Sequence, residues 1–373
     1  MASKSVFIIG SGIAGLAHAW MAAQKGCKVT VFEKDSQPSG ASVQNFGLIW
    51  PIGQSHQTVH LALRSAEHWR DIARKAKFWT RDSGALFPIY TPFANQIAEE
   101  FLQVAKDWGY KAKWMSAKEF RLQFPLVQSK DLIGALFSKT ELQVQPKEAL
   151  PAIITYLREV FHVEFRFGQQ ALSVEKNAVV TANEKLEADL IFFTTGINTD
   201  LNGFEFDTKK VNPCKLQMLR TKASMFSEFN LPPVMASELS LQHYPSFNLC
   251  SSIGLFRQKT ADENPLVKKF GLNILTALQN DGSLVIGDSH EYGKESESPE
   301  YKMEIEQAIL NYLSKMLKIE HLQIEERWIG RYLKSTEDPF ITKYNTPHHL
   351  LMGLGGGGMT LSFALAEKFW KEV

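Results

Sequence analysis

Two periods run through the apolar and polar positions of this chain. Residues 6–9 are a short, fully apolar run with β-branched members, the pattern of a strand buried on both faces, and the run ends in glycines. Residues 13–25, rich in Ala, Leu and Met, predict a helix that Gly26 stops, and 28–33 (Lys-Val-Thr-Val-Phe-Glu) predict a second strand. The first 33 residues therefore read as one βαβ unit with a right-handed crossover. A glycine- and proline-studded segment follows at 36–55, longer than an ordinary connection; Phe46, Ile49 and Trp50 argue that it is ordered and functional. Helical periodicity returns at 58–76, where Leu61, Leu63, Ala66 and Trp69 supply a buried face, and again at 97–108 and 149–160. Short strands are expected at 163–167, 171–174 and 179–181, and a stronger one at 190–195 that ends in Gly196. The middle, about 212–287, reads as strand-rich, with a hairpin signal at Asn280-Asp281-Gly282. An amphipathic helix at 304–317, a strand at 350–354, a glycine run at 355–358 and a helix at 360–370 complete the pattern.

Composition narrows the class. With 373 residues, 44% hydrophobic and 22% charged, the chain suits two globular domains, or one large domain with an insertion. Forty-one basic against 40 acidic residues give a net charge of +1, so no global field draws it to nucleic acid or anionic lipid, and a small-molecule partner is expected. Cys27, Cys214 and Cys250 have no paired spacing, which excludes a disulfide framework and a thiolate zinc site and points to a reducing cytoplasm. No metal is expected. The apolar stretch after Lys4 mimics a secretory signal, but Gly10, Gly12 and Gly15 interrupt it with a spacing that has a chemical reason. No window reaches the roughly 20 apolar residues that span a bilayer.

That reason is nucleotide binding. Gly10-Ser11-Gly12-Ile13-Ala14-Gly15 lies between the first strand and the first helix, the context a dinucleotide fingerprint requires. The first glycine permits a tight turn, the second lets a pyrophosphate approach the backbone, and the third lets helix and strand pack closely. Glu33 closes the second strand, where a carboxylate can accept hydrogen bonds from ribose hydroxyls. At the far end Gly355, Gly356, Gly357 and Gly358 lead through Met359 and Thr360 into a helix. Four glycines in a row give up backbone entropy, so something must approach that backbone closely, and a helix N-terminus there suits the anionic N1/O2 edge of a reduced flavin. Phe192-Phe193-Thr194-Thr195-Gly196 has the form of a further return to the nucleotide domain. A simple nicotinamide dehydrogenase has no need of the terminal segment.

These segments, together with the loop Gly40-Ala41-Ser42-Val43-Gln44-Asn45-Phe46-Gly47, resemble the FAD-dependent oxidoreductases of the D-amino acid oxidase, glycine oxidase and sarcosine oxidase type over essentially the whole chain. Residues 45–51, 287–292 and 358–363 look most like the branch associated with phosphonate catabolism. The resemblance implies a two-domain α/β fold. A discontinuous Rossmann-like, glutathione reductase-type FAD domain would be assembled from 1–90, 145–211 and 320–373, and a strand-rich antiparallel substrate domain from 91–144 and 212–319. It implies cofactor contacts from Gly10, Gly12, Ile13, Ala14, Gly15, Glu33, Lys34, Ser42, Asn45, Gly47, Val174, Gly196 and the segment Gly355 to Thr360. The implied reaction is oxidation of 2-aminoethylphosphonate or its N-methyl form by hydride transfer to flavin N5. Imine hydrolysis would give phosphonoacetaldehyde, and O2 would reoxidise the flavin.

On the substrate side, amino acid oxidases of this type often carry Trp-x-Gly-x-Arg before the last strand, the arginine clamping the substrate carboxylate. This chain has Trp328-Ile329-Gly330-Arg331-Tyr332; Arg331 stands one residue early, and on a strand that shift points a side chain to the opposite face. An α-amino acid substrate is therefore in doubt. A phosphonate needs fixed cations, for which Arg220, Arg331 and Lys334 are candidates. His290, Tyr292 and Arg331 are the candidate catalytic residues, and Asn45, Gln54, Arg220, His290, Tyr332 and Lys334 the candidate substrate contacts. The late cysteine that anchors FAD in monomeric sarcosine oxidases has no counterpart, so noncovalent FAD is expected, attachment through His56 being the alternative. A glycine, sarcosine or D-amino acid oxidase, a flavoprotein using another electron acceptor, and a non-catalytic FAD-binding scaffold are the rival readings.

Overall fold

The computed structural model describes residues 3–198, 208–319, 321–336, 341–345 and 347–373. Its first layer is a six-stranded sheet in the order Ile341–Asn345, His348–Met352, Leu190–Phe193, Ser5–Ile9, Lys28–Glu33, Glu164–Phe167. Neighbours are parallel except at the Ile341–Asn345 edge. Strand alternation sorts the core. Val6 and Ile8 face a helical layer with Leu16, Trp20, Trp69 and Phe363, whereas Phe7 and Ile9 face a small three-stranded sheet through Val174 and Val179. Fully burying side chains of this size is worth roughly 1.5–3 kcal/mol each, enough to fix the helices Ile13–Gln24, Val59–Ala76, Pro146–Phe161 and Gly358–Glu372 on that face. Trp69 adds a directional tie: its Nε1 donates to the Met359 carbonyl at 2.7 Å, holding the start of the last helix in place.

The second layer is a nine-stranded, largely antiparallel sheet built on the long strands Val211–Thr221 and Ile324–Ser335, which pair from Val211 with Ser335 to Thr221 with Ile324. The expected hairpin joins Leu275–Leu278 to Leu284–Gly287. Two expectations need correction. Ala85–Ile89 pairs with Val234–Ala236 and Gly134–Ser138 in this sheet, and Ile324–Ser335 belongs to it too, so the 1–90 and 320–373 segments each contribute a strand to the substrate side. The stretch read as strand-rich also holds the helices Leu239–His243, Ile253–Glu263 and Pro265–Phe270, which cover the sheet. Among the described residues no helix is long and apolar enough to cross a membrane.

Candidate active site between the two sheets

The glycine fingerprint acts through sterics. Gly10 has φ +103°, and a Cβ there would stand 2.6 Å from the Thr194 carbonyl oxygen. A Cβ on Gly15 would stand 2.0 Å from the Gly10 carbonyl oxygen, so this glycine sets the approach of helix to strand rather than lining the site. Neither the Ile13–Gln24 helix nor the Gly358–Glu372 helix has a side-chain cap at its N-terminus. Both termini open on one cavity of about 410 Å³, and a Cβ on Gly358 would lie only 3.8 Å from Ile13 Cγ2. Aligned peptide dipoles put partial positive charge at each terminus and favour an anion there.

Of the expected cofactor contacts, Gly10, Gly12, Ile13, Ala14, Glu33, Lys34, Ser42, Gly196, Gly355 and Gly358 line this cavity. Glu33 accepts from the Ser11 amide at 2.9 Å and the Ser11 hydroxyl at 2.7 Å; Ser42 Oγ accepts from the Ile13 amide at 2.9 Å, at the start of the first helix. The others support the lining. Gly47, with φ +74°, packs against the Val144 carbonyl. Thr360 accepts from the Trp50 amide, Met359 is in the core, and Val174 pairs with Val179 behind the Gln169–Ala171 part of the wall. Gly357 faces the Gln54 amide group, 3.7 Å from the position of a Cβ, while Gly356 has open space around it. Asn45 is turned onto its own loop, donating to the Ala41 and Ser42 carbonyls and accepting from the Gly47 amide, so its amide group staples the loop.

Register decides the substrate side. Tyr332, Cys214 and Tyr292 pair in a row across three strands, while Arg331, Lys215 and Glu291 form the next row on the opposite face. Arg331 is therefore corrected as a catalytic candidate: the residue borders the cavity, but its guanidinium donates to the Ser296 and Ser298 carbonyls. Arg220 is corrected as well. It stands six residues from Cys214 along the strand, roughly 20 Å away at 3.3 Å per residue. There it is bound by Asp281, Glu326 and Ser283 and borders a separate cavity beside Trp328. Lys334, two residues beyond Tyr332 on the same face, does reach the site: a Cβ on Gly355 would lie 3.7 Å from Lys334 Cγ and 3.9 Å from Tyr332 Cε2.

Beside this row lies a polar cluster that sequence reasoning caught only through His290. The His290 ring packs on His243 with centroids 4.3 Å apart, its Nδ1 bonds the Gly271 carbonyl at 3.0 Å, and its Nε2 is 3.8 Å from Asp288. Asn273 bridges Asp288 to the Tyr244 hydroxyl, and Tyr244 packs on Trp50 in the loop that carries Gln54. Burial holds His243 well below the usual histidine range, helped by His290, Lys334 and Arg257, and pushes the Asp288 carboxyl up. Burial likewise raises the phenols of Tyr244, Tyr292 and Tyr332 and takes the Cys214 thiol to about 11. The Trp50 loop is pinned from behind by Glu141, a fully buried carboxyl that accepts from the amides of Ile52 and Thr140 and from the Thr140 hydroxyl. No sequence pattern marks His243, Tyr244 or Glu141; each matters through tertiary neighbours.

A family model described as FAD dependent oxidoreductase matches residues 5–369. The chain belongs to that family. A D-amino acid dehydrogenase of Helicobacter pylori is 26% identical over 252 residues, covering 53% of this chain and 61% of the relative, so the chain matches about three fifths of that protein's length. Among solved structures, the L-proline dehydrogenase of P. horikoshii aligns with TM-score 0.78 at 17% identity over 100% of this chain and 93% of that one. Glycine oxidase from Bacillus cereus ATCC 14579 aligns with TM-score 0.78 at 15% identity, 99% of this chain against 94% of that one. The residues present fit the family's FAD: two helix N-termini meet at one cavity, Gly10 and Gly12 keep side chains out of it, and the Glu33 carboxylate lines it.

Proposed function

We propose that the protein oxidises a small amine bearing an anionic headgroup, and that the headgroup is a phosphonate, as in 2-aminoethylphosphonate or its N-methyl form. The observation that carries this reading is the composition of the wall opposite the terminal glycines. Lys334 stands with the Tyr332 phenol against Gly355, and the Tyr292 phenol continues that row across Cys214, whereas both candidate arginines are engaged elsewhere. A planar carboxylate favours a bidentate guanidinium fork, while a tetrahedral phosphonate accepts separate point donors such as an ammonium and hydroxyls.

FAD, when bound, accepts hydride at N5. The chain's part is to hold the amine-bearing carbon and to keep water out. Lys334 would hold the headgroup, and the Tyr332, Cys214 and Tyr292 row would form the floor. Trp50 and Gln54 would close the side nearest the last helix. The bond to FAD is noncovalent in this reading: His56 is packed against Trp108, ring centroids 4.5 Å apart, and Cys214 lies between two phenols. Oxygen is the proposed electron acceptor.

The names of the relatives favour a second reading, an α-amino acid as substrate. Anaerobic addition of 2-aminoethylphosphonate, its N-methyl derivative, sarcosine, glycine and D-alanine to separate samples of the yellow protein decides between them. Bleaching by the phosphonates alone is expected; bleaching by the carboxylates alone would reject the phosphonate and keep amine oxidation.

A further inference from the structure

A second cavity, of about 650 Å³, shares no lining residue with the one between the two helix ends. The helices Pro92–Val104, Ile253–Glu263 and Met303–Leu313 frame it. Half-buried Glu238 and Tyr312 lie at its floor, Phe93 and Phe256 form a wall, and exposed Lys259, Glu263 and Lys315 form its rim. The two phenylalanines meet edge to face with centroids 5.7 Å apart, so that wall is fixed.

The floor is polar and only half satisfied. Glu238 Oε2 accepts from the Tyr90 amide at 3.1 Å and from the Thr91 amide and hydroxyl at 3.2 Å, which fixes the carboxylate in place. Among the described residues no group donates to its Oε1 and none bonds the Tyr312 hydroxyl, and neither atom is sealed inside the protein. Burial raises both the carboxyl and the phenol, and the Glu238 charge adds to the rise at Tyr312, so the two groups are neighbours without sharing a hydrogen bond. An anion at this floor would meet the carboxylate, and an apolar group would leave both oxygens unpaired. An ammonium carries three donors and the missing positive charge. The rim has the opposite need. Among the described residues no carboxylate pairs with Lys315, whose Nζ lies 5.6 Å from the Tyr312 ring centroid, and Lys259 has only Glu263 at 3.7 Å.

We propose that this cavity binds a short zwitterion, with its ammonium on Glu238 Oε1 and the Tyr312 hydroxyl and its anionic group on Lys315. One tyrosine links the two ends: its hydroxyl is at the floor and its ring is under Lys315, so a molecule with a few bonds between its charges spans the gap. Phe93 and Phe256 cover the carbon chain between those charges. Binding is reversible, and no bond is made or broken. Short amino carboxylates and amino phosphonates have this form. The site does not rest on the amine-oxidising reading, since a chain that oxidises nothing would bind the same molecule here.

The test follows 13C-labelled threonine methyls in the FAD-loaded protein, kept anaerobic. Thr91 and Thr260 line this cavity, while Thr194 and Thr195 line the other, so occupancy of each is read separately. The probe is β-alanine, with ethylamine and propionate as molecules that carry one charge each. β-Alanine should move the Thr91 and Thr260 signals saturably, ethylamine more weakly, and propionate not at all. Glu238→Gln should weaken β-alanine about 10- to 100-fold and Tyr312→Phe about 2- to 10-fold, through loss of a charge-assisted and a neutral hydrogen bond respectively. Lys315→Met should bring β-alanine down to the affinity of ethylamine. A native flavin spectrum with native Thr194 and Thr195 signals establishes that each variant is folded. Thr91 and Thr260 signals that stay still when β-alanine is added to the native protein would overturn the proposal without any variant. So would propionate binding as tightly as β-alanine, or a folded Glu238→Gln protein that binds β-alanine as the native one does.

Discussion

Gly15→Ala is the sharpest structural perturbation of the cofactor site. The new methyl would stand 2.0 Å from the Gly10 carbonyl oxygen and 2.8 Å from Thr194 Oγ1, and one of those contacts is with backbone that cannot rotate away. Relief requires the Ile13–Gln24 helix to withdraw from the Ser5–Ile9 strand by about 1 Å, an overpacking change that costs roughly 1–3 kcal/mol. At about 2.1 cal/mol/K per residue over this chain, the upper figure lowers Tm by about 4 °C before any cofactor is lost. The same withdrawal takes the start of the helix, where the Ile13 amide meets Ser42 Oγ, away from the cavity, so FAD affinity should fall. The assay is FAD titration of the apoprotein alongside thermal unfolding, with Gly26→Ala as control. Gly26 has φ +78° but nothing within 4 Å of a Cβ, so that variant should lose about 1 kcal/mol of stability and bind FAD as the native protein does. A Gly15→Ala protein with native affinity and native Tm would refute the steric account of the fingerprint.

Other consequences follow from buried charge. His18 is fully buried in the first helix and its pKa is lowered to about 3, chiefly by burial, against about 6.5 in the unfolded chain. The unfolded state thus binds a proton that the folded state refuses between those values, so stability should fall by about 1.4 kcal/mol per pH unit as pH drops from 6.5 toward 3. His18→Phe should flatten that acid limb in denaturant titrations at pH 7 and pH 5. Lys215→Met should cost on the order of 3 kcal/mol by chemical unfolding, because Lys215 and Glu291 are both buried and 3.0 Å apart, and the variant leaves Glu291 with Lys302 alone. Glu141→Leu should cost about 1–3 kcal/mol and raise the amine Kd, since it strands the Ile52 amide and frees the loop that carries Gln54; an unchanged Kd would remove that loop from the site.

Much of the nucleotide half is legible in the chain because its information is local. The βαβ unit, its three glycines and Glu33 lie within 33 residues, and the period changes cleanly from strand to helix between them. The Asn280-Asp281-Gly282 turn is legible for the same reason, and Gly282 adopts φ +76° as such a turn requires. The opposite orientation of Arg331 also follows from strand alternation alone. What is not legible is contact at a distance. Arg220 looks free in sequence, but its carboxylate partners Asp281 and Glu326 lie 61 and 106 residues away. The Ala85–Ile89 strand is buried throughout and contains Pro88, so it shows neither the alternation nor the composition of a strand. His243 and Tyr244 end a five-residue helix with no chemical motif around them, and only folding brings them against His290 and Trp50.

The central claim is that two uncapped helix ends, more than 300 residues apart in the chain, close on one flavin. Equilibrium titration of the apoprotein with FAD, read by flavin fluorescence and followed by denaturation and filtration, tests it directly. The account predicts saturable uptake of one FAD per chain, yellow protein that an amine can bleach, and full release of the flavin on unfolding. A folded chain that stays colourless with FAD supplied would contradict it.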